Sequence, residues 1–353
     1  MTMSQSPKTE FCERVRNSIP LIQAPMAGGI TTPELVAAVS NTGAIGSLAG
    51  SPFEPDELRA EIRQIRHLTR RPFNVNLFVP SPAHQAIPIA YLEKLKEFER
   101  EVGFAMTMEI ESSPSFEKQA EILLEEEVPI FSFTFGIPPL AILKEFHRKR
   151  IVLLGTATHA AEILALQDAG VDFIVCQGKE AGGHRGTFIG SLHEGLVPTM
   201  ELIQKGKEIS KKPLIAAGGL MTGKQIHEAL QAGACAAQLG TAFLCCTESG
   251  ADPSYKKALH QWKSRNTALT KAFSGKWTRC IDNRFVQQMA SLEEVPPYPI
   301  AQSLTKPLRE AAAAAGNSEF LALYAGEGFP HCQSFTAQEL IARLTLELPS
   351  PHK

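Results

Sequence analysis

A histidine set between a glycine pair and an arginine, in the stretch CQGKEAGGHRGTF from Cys176 to Phe188, is the residue in this chain best suited to proton chemistry. A neutral imidazole near pH 7 accepts a proton from carbon or nitrogen, and a charged one holds an anion. No Ser-His-Asp arrangement and no H-x-x-x-H spacing accompanies His184. The loop therefore reads either as a proton-transfer site or as a turn shaped by its glycines. His147, His159, His227 and His260 fall in helical patterns and are expected at surfaces.

Neutral amides and glycine turns form the second set. Asn76, Gln177 and Gln238 interrupt otherwise apolar runs, so each must bond within the fold or face a ligand. Gathered at one end of a sheet, the three amides would make a hydrogen-bonding set suited to a flavin or a nucleobase. Gly218 and Gly219 in PLIAAGG, and Gly240 and Thr241 in QLGTAF, offer backbone N–H groups that can cradle an anion such as a phosphate. Met26, followed by Ala27, Gly28 and Gly29, closes a similar turn near the N-terminus. A phosphorylated cofactor is the ligand these features suggest.

The elements that must position these residues are legible as an alternation. Eight short apolar runs recur, six of them ending in Gly or Thr: PLIQAPMAGG, AIGSLAG, FNVNLFVP, IFSFTFG, IVLLGTAT, FIVCQG, PLIAAGG and AAQLGTAFL. Helical patterns separate them. Nearly continuous apolarity marks parallel strands buried on both faces, and eight strand-helix units close most naturally into a (β/α)8 TIM barrel, an open doubly wound sheet being the alternative. Thr32 before Pro33, Thr222, and the Thr336 to Glu339 spacing mark helix starts, while Gly170 and Gly233 mark helix ends. The barrel is expected over 19–247, a helical insertion covering the pocket over 248–330, and the final barrel helix over 331–353. The chemistry-bearing residues then fall at strand C-terminal ends, where barrel enzymes carry their sites, and loops seven and eight are the usual phosphate site.

Composition sets the limits. The chain has 353 residues, with 35 Lys and Arg against 37 Asp and Glu, and its basic residues form no long run. Neither nucleic acid nor an anionic membrane is expected as a partner. The N-terminus is polar and no stretch of about 18 apolar residues occurs, so the expected location is the cytoplasm. Seven widely spread cysteines, without a C-x-x-C pair or a metal-ligand spacing, read as reduced thiols and imply no metal.

Taken together, QAPMAGG, FNVNLF, GKEAGGHRG, PLIAAGG and QLGTAF resemble the nitronate monooxygenase family, formerly called 2-nitropropane dioxygenases. AFSGKWTRCIDNRF and PYPIAQSLTKPLREAAAAAGNSEFLALYAGEG resemble downstream blocks of its class I branch. The resemblance implies a TIM barrel with FMN at the strand C-terminal ends and a helical segment inserted after strand eight. It implies that Met26, Asn76, Gln177, Gly182, Gly183, Gly218, Gly219, Gln238, Leu239, Gly240 and Thr241 hold FMN, and that His184 is the active-site histidine. Tyr298 and Lys306 fall in blocks that line the substrate pocket, and a Lys suits an anionic nitronate. The implied reaction is oxidation of an alkyl nitronate, propionate 3-nitronate in this branch, with O2 to nitrite and a carbonyl product. His184 would hold the anion, or act as base toward the neutral nitroalkane. The sequence departs from the family pattern at Tyr324 and Glu327, which bears on substrate preference. A flavin-dependent enoyl-acyl-carrier-protein reductase or NAD(P)H:quinone reductase would share the barrel, and a barrel that binds a phosphorylated metabolite without turnover is the non-enzymatic alternative.

Overall fold

The computed structural model describes residues 9–80 and 87–348. Eight parallel strands form one sheet: β1 (Leu21–Gln23), β2 (Ser47–Ala49), β3 (Asn74–Phe78), β4 (Ile130–Thr134), β5 (Val152–Ala157), β6 (Phe173–Gln177), then β8 (Leu214–Ala217) and β9 (Ala234–Leu239), with the two-residue β7 (Gly183–His184) outside it. The order β1-β9-β8-β6-β5-β4-β3-β2 is sequential around a circle. Its ends meet where Ile22 bridges Ile45 just ahead of β2, and Gln23 Oε1 accepts the Ser47 N–H at 2.9 Å across the seam. The eight apolar runs are thus the eight staves of a barrel.

Strand alternation divides the core in two. Inward residues Ile22, Ile130, Leu154, Val175, Ile215 and Ala236 fill the barrel, and Phe11 from the short helix α1 (Glu10–Val15) plugs its lower end, its ring 5.2 Å from that of Phe173. Outward residues pack under the surrounding helices. These are α2 (Pro33–Asn41), α3 (Pro55–Leu68), α4 (Ile89–Val102), α5 (Phe116–Glu125), α6 (Leu140–Arg148), α7 (Ala160–Asp168), α8 (Thr199–Ile209) and α9 (Gly223–Ala232). Thr32 caps α2 through the Leu35 N–H, Thr222 and Gln225 form a capping box on α9, and Gly233 ends it at φ 118°. Each matches its sequence signal.

After β9 come α10 (Pro253–Gln261), β10 (Thr267–Thr270), β11 (Thr278–Ile281), α11 (Arg284–Met289) and α12 (Ile300–Ala314). The antiparallel pair β10–β11 is absent from the sequence expectation of a wholly helical segment. Its strands are four residues each and Thr-bearing, and β11 finds its second partner in β7, about ninety residues upstream, with Thr278 opposite His184 and Arg279 opposite Gly183. Such pairing has no local signature. The last helix, α13 (Ala337–Leu346), starts at the Thr336–Glu339 capping box and packs between α9 and α2, in the position of an eighth barrel helix.

Candidate active site

A cavity of about 730 Å³ opens at the C-terminal ends of the strands. It is lined by Met26, Asn76, Gln177, Gly182, Gly183, His184, Gly218, Gly219, Gln238, Leu239, Gly240, Thr241 and Tyr298. Every residue singled out from the sequence except Lys306 is therefore brought to one place. Such a volume is ordinary for a small-molecule or cofactor site.

The floor is polar. Successive inward positions of β3 carry Asn74 and Asn76, whose amides donate to Ser132 Oγ at 2.8 and 2.9 Å. Asn74, below, also donates to Ser47 Oγ and is fully buried, so it belongs to the barrel's own network. Asn76, one layer up, lines the cavity, and its carbonyl oxygen has no partner among the described residues. The Gln238 side chain makes no hydrogen bond there either, leaving its amide for whatever fills the space.

Beside these, the turns after β8 and β9 present orphan donors. The N–H groups of Gly218, Gly219, Gly240 and Thr241 find no acceptor among the described residues, and all four residues are half-buried at the cavity wall. Gly218 and Gly219 adopt φ of 122° and 70°, a backbone conformation that suits glycine. Gly240 differs. A Cβ there would come no closer than 3.5 Å to Ala24 and 3.6 Å to Met26 Sδ, both cavity residues, so the fold itself leaves room for a side chain.

His184 is fixed from three sides. Its main chain is clamped by β11, and its carbonyl accepts from Gln177 Nε2 at 2.9 Å while Gln177 Oε1 accepts the Gly186 N–H at 2.8 Å. Gln177, expected to serve a cofactor, thus spends both ends of its amide on the histidine loop. The buried guanidinium of Arg185 fastens the same loop to the carbonyls of Gln177, Gly178 and Gly195 at 2.6–3.0 Å, and burial lowers its pKa to about 10.

The imidazole sits among Phe78, Phe135 and Tyr324, with ring centroids 5.5–6.1 Å away, and its Nε2 lies 2.9 Å from Ser274 Oγ. Burial, reinforced by the nearby positive charge of Lys276, lowers the His184 pKa to about 4. The ring is neutral at pH 7. Ser274 Oγ can donate a hydrogen bond to the Lys276 carbonyl at 3.3 Å, in which case it accepts one from His184 Nε2–H and leaves the lone pair on Nδ1.

Lys306 requires a correction. It is absent from the cavity wall: the side chain is half-exposed and its ammonium is ion-paired with Glu111. The cation on the wall is Arg309, one turn further along α12. Arg309 donates to the Gln302 carbonyl at 3.0 Å, its Nε has no partner, and burial pulls its pKa down. Tyr324 OH, on the same wall, lies near Ser274 without a well-formed hydrogen bond, and burial lifts its pKa to about 12. Arg309 stands only three residues from the expected lysine, and the sequence pattern offered no means of choosing between them.

A second correction concerns His159, expected on a surface. It is buried, with Nε2 2.8 Å from the Ile189 carbonyl and 3.6 Å from Glu162, and it supports the segment beyond the His184 loop. Gly182 likewise has a role its motif did not convey. A Cβ there would lie 2.3 Å from Gly326 N and 2.4 Å from the Ala325 carbonyl carbon, so the glycine exists to let the 325–327 segment lie across the loop.

Residues 10–347 match the family model described as nitronate monooxygenase. A probable nitronate monooxygenase of Bacillus subtilis (strain 168) is 37% identical over 345 residues, covering 96% of this chain and 97% of its own. One from Staphylococcus haemolyticus (strain JCSC1435) is 39% identical over 333 residues, covering 92% of each chain. Among solved structures, the nitroalkane oxidase from Streptomyces ansochromogenes superposes with a TM-score of 0.89 at 37% identity, over 96% of this chain and 97% of that one. FabK from Thermotoga maritima gives 0.76 at 25% identity, over 97% and 96%.

Proposed function

The chain belongs to the nitronate monooxygenase family, and from that premise we propose that it is an FMN-dependent enzyme that oxidises an alkyl nitronate with O2 to nitrite and a carbonyl product. Propionate 3-nitronate is the substrate we assign to it. The observation that carries the cofactor is the set of orphan N–H donors at Gly218, Gly219, Gly240 and Thr241, facing a cavity of about 730 Å³. A phosphate monoester fits that donor set, because each N–H is otherwise unsatisfied.

The rest of the cavity suits a flavin ring. Asn76 and Gln238 offer free amide groups to its polar edge, while Met26, Leu239, Gly182 and Gly183 supply apolar and backbone contact. When bound, the flavin accepts electrons from the substrate and returns them to O2; that chemistry belongs to the cofactor.

The chain's own residues supply charge, proton transfer and exclusion of water. Arg309 holds the anionic end of a nitronate, its guanidinium being the cation on the cavity wall. Tyr298 and Tyr324 wall the same space. His184, neutral, contributes no positive charge toward the anion. It takes the carbon-bound proton when a neutral nitroalkane is offered, with Nδ1 as the acceptor in the tautomer Ser274 favours. Phe78 and Phe135 shield the imidazole. Seven unpaired cysteines support a reducing, cytoplasmic setting, and among the described residues no helix is long and apolar enough to cross a membrane. The test is a yellow purified protein carrying FMN that releases nitrite from propionate 3-nitronate.

A further inference from the structure

A second concavity, of about 530 Å³, lies at the opposite end of the barrel, where β4 and β5 begin at Ile130 and Val152. Its wall carries six arginines, Arg14, Arg16, Arg66, Arg70, Arg71 and Arg150, and not one carboxylate. In a chain with formal net charge -2 this is a strong local excess.

Elsewhere in the protein, Arg185 and Arg309 donate to main-chain carbonyls, while Arg59, Arg63, Arg265 and Arg284 each reach a glutamate. In the bowl only Arg14 does so, toward Asp172 at 3.0 Å, while Arg66 donates to the carbonyls of Glu126 and Glu127. Arg16, Arg70, Arg71 and Arg150 have no acidic partner among the described residues. Arg66 Nε is buried with no acceptor at all. Like charges crowded this way repel unless something anionic sits among them.

The backbone adds an independent sign. Arg16 and Arg150 have φ of 57° and 58°, in the left-handed region where glycine is the ordinary occupant. Both positions put a guanidinium on the bowl instead. Arg16 is the left-handed cap that ends α1, and Arg150 follows the end of α6, so two helix C-termini turn their caps toward the bowl.

We propose that this bowl binds a small polyanion carrying a chain of two or more phosphates. One phosphate is matched by one or two guanidinium forks, whereas four unpaired forks around one concavity call for several phosphate groups. The size of this open bowl, within the range of small-ligand sites, favours a compact molecule over an extended strand of nucleic acid. A free polyphosphate and the phosphate chain of a nucleotide share this chemistry.

The test is calorimetric titration of the full chain at low ionic strength with inorganic tripolyphosphate, ATP and orthophosphate. Tripolyphosphate should bind at least about tenfold tighter than orthophosphate, the worth of one charge-assisted contact. Tighter binding of ATP than of tripolyphosphate assigns the site to a nucleotide, and the reverse order assigns it to free polyphosphate. The double variant Arg16→Gly, Arg150→Gly suits the existing backbone, so it should fold, lose at least about tenfold in tripolyphosphate affinity, and keep nitronate turnover. Arg70→Gln with Arg71→Gln, at exposed positions, should lose affinity to a similar extent. Equal binding of tripolyphosphate and orthophosphate, or undiminished tripolyphosphate binding in both double variants, would overturn the proposal.

Discussion

His184 Nε2 and Ser274 Oγ lie 2.9 Å apart, joining the loop after the sixth barrel strand to the segment inserted after the last one. The inserted segment does more than roof the pocket, because β11 also pairs directly with the histidine's main chain. Removing the hydroxyl in Ser274→Ala should free the imidazole to adopt either tautomer. Turnover of a neutral nitroalkane should fall about tenfold, against a hundredfold or more for His184→Ala, where the base itself is lost. Steady-state rates with nitroethane check this; equal losses in the two variants would make Ser274 more than a positioning group.

The His184 pKa of about 4 fixes a pH dependence. Only the neutral ring accepts a proton, so activity on neutral nitroalkane should be lost on acidification near pH 4 and not near 6.5. Lys276 disfavours a second positive charge, so Lys276→Met should move that limb upward, yet not fully to 6.5, because burial remains the larger cause. The kcat/KM profile of each protein reads the shift directly.

Arg309 and Lys306 can be separated by a charge test. Arg309→Met should raise KM for an anionic nitronate about ten- to a hundredfold, the worth of a charge-assisted hydrogen bond, with much less effect on a neutral nitroalkane. Lys306→Met should change KM by no more than about twofold, since its ammonium already pairs with Glu111 at a half-exposed site. Reversed magnitudes would return the anion to Lys306.

Two glycines of the cavity wall should respond differently. Gly182→Ala drives a methyl into the Ala325–Gly326 backbone and should destabilise the fold by about 1–3 kcal/mol as well as impair turnover. Gly240→Ala meets nothing closer than 3.5 Å, so it should melt like the parent while retaining less FMN. Thermal melts alongside flavin content per chain distinguish the two; full FMN retention in Gly240→Ala would move the phosphate elsewhere.

The barrel and the floor of the site were legible because their signals are local. Each of the eight apolar runs overlaps a stave, and glycines and amides at their ends fell on one cavity. What escaped depends on contacts between distant segments. The β10–β11 hairpin takes β7 as its third strand from about ninety residues upstream, and Gln177 is drawn to the histidine loop that follows it. Lys306 and Arg309 share a helix face, and only the position of Glu111 decides which cation reaches the cavity. The arginine bowl is assembled from α1, the segment after α3 and the turn after α6, so no run of charge announces it.

The central claim is tested most directly by mixing the yellow protein with propionate 3-nitronate in air while recording nitrite and oxygen uptake together, and separately with NADH or NADPH under nitrogen. The account predicts nitrite release matched by oxygen consumption, with no bleaching of the flavin by either pyridine nucleotide. Bleaching by NADH or NADPH without nitrite from the nitronate would contradict it and make the protein a reductase on the same barrel.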